Sequence, residues 1–341
     1  MSKLLKDLES KIKEESQKYY SEGSNNVTDE QFDAMVNTVQ ELDPNSNILN
    51  TGWGYKVDED TTYGNKVKHT CGIVGSLDKY RDISELLKRF NYATELWYSL
   101  KLDGLSIVLY YESGKLVDAV TRGDGYTGIS IYDKIRFIDR QLFVLPIDFT
   151  GAIRGEILMT IDNFDKFKSI NLDAKNPRNA AAGLVNRKDK YEDLKFLDIV
   201  VYTIVQASDE FQNYTVNNGT MYNFLNRNFS YVVPYKKIPL DPNSDLYDVF
   251  KTFKCRWNDL LPIDGVVVSA GLHTKNNNVS YDSVAFKFES ESKVVEVLDV
   301  EYEMSKTHYA IPRVKVTPIQ LSGATVEYAT GHLSLIHISE P

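Results

Sequence analysis

The spacing of apolar residues changes along this chain from a helical to an extended repeat, and this change divides the sequence into regions. Leucine and isoleucine side chains among the first twelve residues share one helical face, so residues 2 to about 20 are predicted to form an amphipathic helix. Residues 28–31 have the form of a capping box, which predicts a second helix ending near Asp43. From Leu96 onward the alternation has period two, which indicates strands.

The later part of the chain is predicted to interleave strands and helices. Residues 96–111 and 116–125 are predicted to form a hairpin through a turn at 112–115. Further strands are predicted within 152–159, 196–205, 262–270 and 283–290, with helices near 81–92, 160–170, 180–190 and 215–228. Because this alternation lacks a regular β-α-β rhythm, we expect an α+β fold with antiparallel sheets.

These patterns predict a helical unit at 1–45, a linker rich in Gly, Asn and Asp at 46–69, and an α+β domain at 70–290. Short strands at 294–304, 310–321 and 324–330 are expected to open a small barrel, which would occupy 291–332. The last residues, 333–341, read LSLIHISEP and resemble a translated sequencing adapter. We therefore expect this tail to be an artefact and the chain to be truncated within the barrel.

Charge and composition exclude several classes of protein. The chain has 39 Lys and Arg against 48 Asp and Glu, a net charge of −9, so any contact with DNA must use a segregated basic surface. No run approaches the ~18 apolar residues of a membrane span, and the charged start is not a signal peptide. We therefore expect a cytoplasmic protein without a membrane partner. Two cysteines, Cys71 and Cys255, cannot build a four-cysteine zinc site, and residue spacing alone predicts no metal-ligating set.

The tetrapeptide from Lys101 to Gly104, KLDG, lies in a predicted strand. Period two places Lys101 and Asp103 on one face, together with Trp97 and Ser99. The motif is weak alone, because an exposed hairpin also carries ordinary solvated charges. It is followed in order by TRGDG at 121–125, RGE at 154–156, NPRNAAAG at 176–183, IDGVV at 263–267 and AFKF at 285–288.

In this order the motifs resemble those of the NAD⁺-dependent DNA ligases of bacterial and phage type. The resemblance extends to about residue 330, and NPRNAAAG is its most diagnostic block, since ATP-dependent ligases and capping enzymes are not expected to carry it. It implies a nucleotidyltransferase adenylation core, ATP-grasp-like in fold. A helical domain that binds the nicotinamide mononucleotide (NMN) half of NAD⁺ precedes this core, and an OB-type barrel, here incomplete, follows it.

The resemblance also implies a reaction. Lys101 would attack the α-phosphate of NAD⁺, expel NMN and form a lysyl-adenylate; AMP would then pass to the 5′-phosphate of nicked double-stranded DNA, where the 3′-hydroxyl displaces it. Free lysine has a pKa of ~10.4, so about one amine in a thousand is unprotonated at neutral pH, equivalent to roughly 4 kcal/mol. Lys287 would lower this pKa and neutralise the phosphate. Asp103 and Glu156 would orient the ribose or 3′-hydroxyl and hold Mg²⁺.

Further positions match residues by which the family binds NAD⁺. Arg122 and Arg178 fall on arginines that contact nucleotide or nick phosphates, and Arg256 matches a third by spacing alone. Ser76 and Leu77 match a segment that lines the adenine pocket.

The helical unit carries a second group of matches. The expected NMN-binding positions are Tyr19, Tyr20, Asp29, Phe32 and Asp33. Tyr20 replaces a family His and Phe32 replaces a family Tyr. An aromatic helix face is also typical of core packing, which is the other interpretation of Phe32.

Two departures bear on catalysis. Ser99 stands where the family has a Glu that contacts adenine, and Ser269 stands where it has a Lys, although Lys275 follows six residues later. Restoring lysine at 269 is expected to speed adenylation, because it returns a phosphate-neutralising charge.

Three functions follow from these observations. The first is an NAD⁺-dependent DNA ligase, whose expected partners are nicked DNA and either missing C-terminal zinc-finger, helix-hairpin-helix and BRCT domains or a second ligase subunit. The second is a catalytically weakened nick-binding or ligase-subunit protein on the same scaffold, motivated by the two serines. The third, an ATP-using RNA ligase or capping enzyme, is disfavoured by NPRNAAAG.

Overall fold

The structure is a computed structural model that describes residues 3–22, 27, 29–49, 65–240, 245–271, 283–288, 294–304, 310–321 and 324–330. By its internal contacts the chain divides into two units, Met1–Lys287 and Phe288–Pro341. The helices are α1 (Lys3–Glu22), α2 (Asp29–Leu42), α3 (Ile83–Arg89), α4 (Tyr132–Ile138), α5 (Ile161–Ile170), α6 (Pro177–Asn186), α7 (Asn213–Val216), α8 (Asn218–Asn228) and α9 (Leu246–Cys255). The strands of the first unit are β1 (Lys66–Lys68), β2 (Asp78–Tyr80), β3 (Glu95–Leu102), β4 (Leu105–Glu112), β5 (Lys115–Thr121), β6 (Thr127–Ile129), β7 (Gly151–Leu158), β8 (Asp198–Ala207), β9 (Tyr235–Pro239), β10 (Ile263–Ala270) and β11 (Ser283–Phe286).

The N-terminal helices lie where the apolar spacing predicts them. Ile12 of α1 and Val39 of α2 are fully buried in a shared cluster, and Ile48, from a short turn after α2, joins it. This cluster gives α1 and α2 a small apolar core of their own. The segment expected to be a linker ends in strand β1, which pairs with β6.

Besides the β1–β6 pair, the first unit contains two larger sheets. The first sheet has the order β2-β11-β10-β3-β9, with β2 and β11 parallel and the other pairs antiparallel. The second sheet, β5-β4-β7-β8, is antiparallel throughout. On one side of the first sheet, Tyr98 and Phe286 pack against Phe250 of α9. We call the opposite side, which carries Lys101, the Lys101 face.

The expectation of one long strand over 96–111 is wrong. The chain leaves the first sheet after Leu102 and enters the second at Leu105, so the hairpin consists of β4 and β5 alone. Gly104 sits at the crossing, where an added Cβ would lie 2.2 Å from the carbonyl oxygen of Ile157. A residue with a side chain would therefore force the two sheets apart at this point.

The second unit contains β12 (Val297–Met304), β13 (Ala310–Leu321) and β14 (Ala324–Thr330). They form an antiparallel sheet in chain order, at the positions that the sequence predicts. Within the described residues of this unit the sheet does not close into a barrel. Residues 333–341 lie outside the described part of the chain. None of the described helices is long and apolar enough to cross a membrane.

Candidate active site

A bulge in β10 builds the centre of the candidate site. Ile263 pairs with Leu102 and Gly265 pairs with Lys101, so Asp264 is an extra residue in the ladder. Such a bulge redirects a side chain that regular alternation would place on the other face. The Asp264 carboxylate accepts a hydrogen bond from Lys101 and lies 3.1 Å from Nζ of Lys287. One carboxylate thus joins both predicted catalytic lysines.

We call Lys101, Asp264 and Lys287 the trio; its two cations share a single carboxylate. Burial alone would raise the pKa of Asp264, but Lys101 and Lys287 together hold it well below its usual range. Asp264 therefore stays ionised and acts as a fixed anion between two cations. Lys287 is buried, with 7% of its surface exposed, so its charge acts in a poorly solvated place.

Asp103 is held by the helix that contains NPRNAAAG. The side chain of Asn176 caps α6 by accepting a hydrogen bond from the backbone of Asn179 at 2.8 Å, and Pro177 occupies the first turn. This start orients Arg178, whose guanidinium donates to the Asp103 carboxylate. The diagnostic block therefore has a local structural role and also delivers a charge to the site.

Glu156 lies on β7, opposite Ser106 of β4. Burial raises the pKa of Glu156 to about 7; the charges of Arg154 and Lys101 oppose this rise, and the charge of Asp103 adds to it. A carboxyl group with such a pKa exchanges its proton near neutral pH, as acid–base catalysis requires.

Asp103 and Glu156 also suit a magnesium ion. In the described part of the chain, no group of three or more His, Cys, Asp or Glu side chains is placed to hold a metal. Mg²⁺ often takes only one or two protein carboxylates and completes its shell with phosphate oxygens and water. Burial is the main cause of the raised pKa of Glu156 and the charge of Asp103 adds to it; a divalent cation beside these carboxylates would oppose both effects.

Arg122 connects the TRGDG motif to the segment of Ser76 and Leu77. Its guanidinium donates to the carbonyl oxygen of Val74 at 2.9 Å and to Oγ of Ser76 at 2.8 Å. Arg154 donates to the carbonyl oxygen of Gly75 at 3.1 Å. These contacts place the predicted base-binding segment beside the second sheet.

A family model for the NAD-dependent DNA ligase adenylation domain matches residues 63–291. The chain belongs to this family. It is 29% identical over 334 residues to the DNA ligase of Leptospira biflexa, covering 92% of this chain and 48% of that protein. It is 30% identical over 353 residues to the DNA ligase of Lactobacillus helveticus, covering 95% and 51%. The chain thus spans about half the length of these curated relatives. A solved structure described as Pmar-Lig_Pre. gives a TM-score of 0.43 at 11% identity, covering 90% of this chain and 60% of that one.

In this member of the adenylation family, the remaining predicted residues lie in several places. Asp33 forms ion pairs with Lys79 and Arg81, whereas Phe32 packs against the apolar cluster of the helical unit.

Arg256 follows the last residue of α9 and is exposed. Burial raises the pKa of Tyr98, and the charge of Arg256 opposes this rise. Tyr98 lies on the side of the first sheet that faces away from Lys101. The structure does not bring Arg256 to the trio. The side chains of Tyr19, Tyr20 and Asp29, and all of Lys275, lie outside the described part of the chain.

Some residues of the site were missed at the level of sequence. Asp264 lies in the IDGVV motif and Arg154 in the RGE motif, but the sequence alone assigns no role to either residue. No sequence motif includes Tyr202, although its phenol oxygen lies 3.1 Å from Oγ of Ser106 and its side chain lies near Arg154 and Glu156. A bulge or a contact between two sheets cannot be read from strand periodicity, which explains these omissions.

The two serines that depart from the family pattern lie under helix α8. Ser99 is hydrogen-bonded to Tyr222, and Ser269 accepts a hydrogen bond from Nδ2 of Asn218 at 2.8 Å. Both serines are buried, and so is Asn218, which also donates to the carbonyl oxygen of Ala270 at 2.9 Å. The positions of the missing charges are thus filled by a neutral hydrogen-bond network.

A lysine at 269 is expected to speed adenylation, and this network adds a second expected effect, a loss of stability. Ser269→Lys should displace Asn218 and bury a cation, so we expect the free energy of unfolding to fall by about 2–4 kcal/mol. Ser269→Ala should lose about 1 kcal/mol, since it removes one hydrogen bond. Urea titration of both variants checks this. A Ser269→Lys protein as stable as the original would show that the lysine finds a charged partner here.

Proposed function

We propose that this chain is the self-adenylating part of an NAD⁺-dependent DNA ligase. The observation that carries the proposal is the bulge at Asp264, which holds Lys101 and Lys287 on one carboxylate within a domain of this family. A nucleophilic amine and a second cation at the same point suit attack on a phosphate, because the second cation neutralises charge that develops on the phosphate oxygens.

In the proposed first step, Nζ of Lys101 attacks the adenylate-side phosphorus of NAD⁺. A P–N bond forms, the P–O bond to NMN breaks, and NMN leaves with its phosphate. The lysine must lose a proton first, and Asp264 is a poor acceptor because its pKa is held low. Glu156, with a pKa of about 7, is the suitable acceptor among the described groups that interact with Lys101.

Asp103 is the residue that would hold Mg²⁺ when it is bound, which leaves Glu156 as the proton acceptor, and the ion would supply charge neutralisation at the phosphates. Arg178 orients Asp103 for this role through their ion pair. Arg122 holds the segment of Ser76 and Leu77, which we propose contacts the adenine ring.

In the later steps, AMP would pass from Lys101 to the 5′-phosphate of a DNA nick, and the neighbouring 3′-hydroxyl would displace it to seal the strand. The relatives that carry the name DNA ligase are about twice the length of this chain. We therefore propose the first step for the described domain, and we propose nick sealing for the chain together with the additional length that its relatives have.

Incubation with NAD⁺ labelled in its adenylate, in the presence of Mg²⁺, tests the proposal. The expected result is one covalent AMP per chain on Lys101, with no labelling from ATP. Labelling from ATP alone would overturn the cofactor assignment. A folded protein that takes no label from either nucleotide but binds nicked DNA would instead support the scaffold function, which the neutral network at Ser99 and Ser269 favours.

The pKa of Glu156 predicts the pH dependence of the first step. If Glu156 must be ionised, the single-turnover rate should fall by an additional factor of about ten per pH unit below pH 7. Glu156→Gln should slow the reaction, and it should remove the break near pH 7, meaning the change in slope of the logarithm of the rate plotted against pH. Rates measured from about pH 5.5 to 9 check this, and a break that persists in Glu156→Gln would assign it to another group.

A further inference from the structure

A row of residues crosses the first sheet from the proposed nucleophile to its outer edge. Lys101 pairs with Gly265, and the ladder between β10 and β11, continued by one residue, places Lys287 opposite Gly265. The backbone of Lys287 donates to the carbonyl oxygen of Tyr80 at 2.9 Å, so Arg81 follows at the outer strand. Three strand spacings separate Lys101 from Arg81, about 14 Å between their backbones.

The outer strand adds a second cation on the same side. Lys79 pairs with Ala285, and residues paired across neighbouring strands share a face of the sheet. Ala285 and Lys287 are two residues apart and therefore also share a face. Lys79 thus lies on the Lys101 face, and the cations run from Lys101 through Lys287 to the β2 edge.

Asp33 of the helical unit meets this edge. Lys79 donates to one Asp33 oxygen, and the other lies 3.6 Å from the guanidinium of Arg81. Two cations here share the one Asp33 carboxylate. The side chains of Lys79 and Arg81 are 36% and 46% exposed, so a dissolved anion can reach them.

The chemistry of the first step supplies such an anion. NAD⁺ contains two linked phosphates, and attack on the adenylate-side phosphorus expels the other phosphate on the side away from the nucleophile. This leaving phosphate gains charge as the bond breaks, and cations placed there stabilise it. Along the row, the side away from Lys101 is the side of Lys79 and Arg81.

We propose that Lys79 and Arg81 bind the phosphate of the NMN half of NAD⁺, and that Asp33 orients these two cations from the helical unit. The proposal rests on the proposed adenylation of Lys101. It assigns the β2 edge to recognition of the leaving group, so these residues contribute to the choice of NAD⁺ as the AMP donor.

The reverse reaction tests the site directly. In adenylated protein, a phosphate oxygen of added NMN attacks the lysyl-adenylate phosphorus, the P–N bond breaks, and the lysine amine leaves as NAD⁺ forms. For Arg81→Ala, we expect the NMN concentration that gives half the maximal rate of AMP loss to rise by about tenfold or more. The KM for NAD⁺ should rise similarly. Arg81→Lys should recover part of the loss, since it keeps the charge.

Lys88→Ala is the matched control, because Lys88 is an exposed cation on the adjoining helix α3 and lies outside the row. It should leave both values unchanged. If Arg81→Ala fails to fold in a thermal melt, Lys79→Ala provides the same measurement. Unchanged NMN and NAD⁺ requirements in a folded Arg81→Ala or Lys79→Ala protein would overturn the proposal. A wild-type chain that never becomes adenylated would instead refute the proposed function.

Discussion

Replacing Lys101 with alanine should abolish transfer of AMP from NAD⁺ to the protein, with a loss of at least about a thousandfold, because it removes the amine that is proposed to form the P–N bond. The fold should persist. The Lys101 side chain is one-quarter exposed, and Asp264 keeps its second partner Lys287 after the substitution. Intact-mass measurement after incubation with NAD⁺ and Mg²⁺ gives the labelled fraction.

Lys101→Arg is the informative companion variant. It keeps a cation beside Asp264 but lacks a nucleophilic amine, so it should remain unlabelled while melting at the temperature of the original protein. Label at the original level in either variant would remove Lys101 from the role of nucleophile. Label that moves to Lys287 would show that Asp264 holds two competent amines.

Deleting residues 1–45 should have the second-largest effect, reducing adenylation by NAD⁺ by about a hundredfold or more. The deletion removes α1, which lies beside α6, and α2, whose Asp33 contacts Lys79 and Arg81. The helical unit has an apolar cluster of its own, so its loss should leave the two sheets folded. The rate of labelling, with circular dichroism as a check on folding, measures the effect.

This deletion also separates the reaction steps. Sealing of a nick that already carries AMP on its 5′-phosphate needs no NAD⁺, so it should survive the same deletion in a chain extended to the length of its relatives. Equal loss of both activities would contradict the division of labour, since it would show that the helical unit supports the later steps as well.

The residues proposed to be catalytic could be named from the sequence because their motifs occur there as an ordered set. The family resemblance of the ordered motifs implies roles for Lys101, Glu156 and Lys287, and the structure gathers these residues around Asp264 and Asp103. The geometry that gathers them was not predictable. Period two does not reveal that the chain changes sheets at Gly104, because the alternation continues on both sides.

Long-range contacts explain the other differences between sequence and structure. Ser269 was expected to be a simple loss of charge, yet it is bound by Asn218, which is far away in sequence. The pairing of Asp33 with Lys79 and Arg81 joins a helix to a sheet edge in the same way. Neither contact follows from local propensity, since both depend on how separate elements meet.

The strand order of the first sheet has a consequence for synthesis of the chain. Strands β10 and β11, the last of this sheet to be translated, insert between β2 and β3, the first two. A nascent chain on the ribosome therefore carries β2 and β3 with unpaired edges until Phe286 has emerged, a period in which a chaperone has an open strand to recognise. Asp264 and Lys287 reach Lys101 in the same late event. If Lys101 accepts AMP as proposed, the labelled fraction of molecules therefore measures how many chains have completed this insertion.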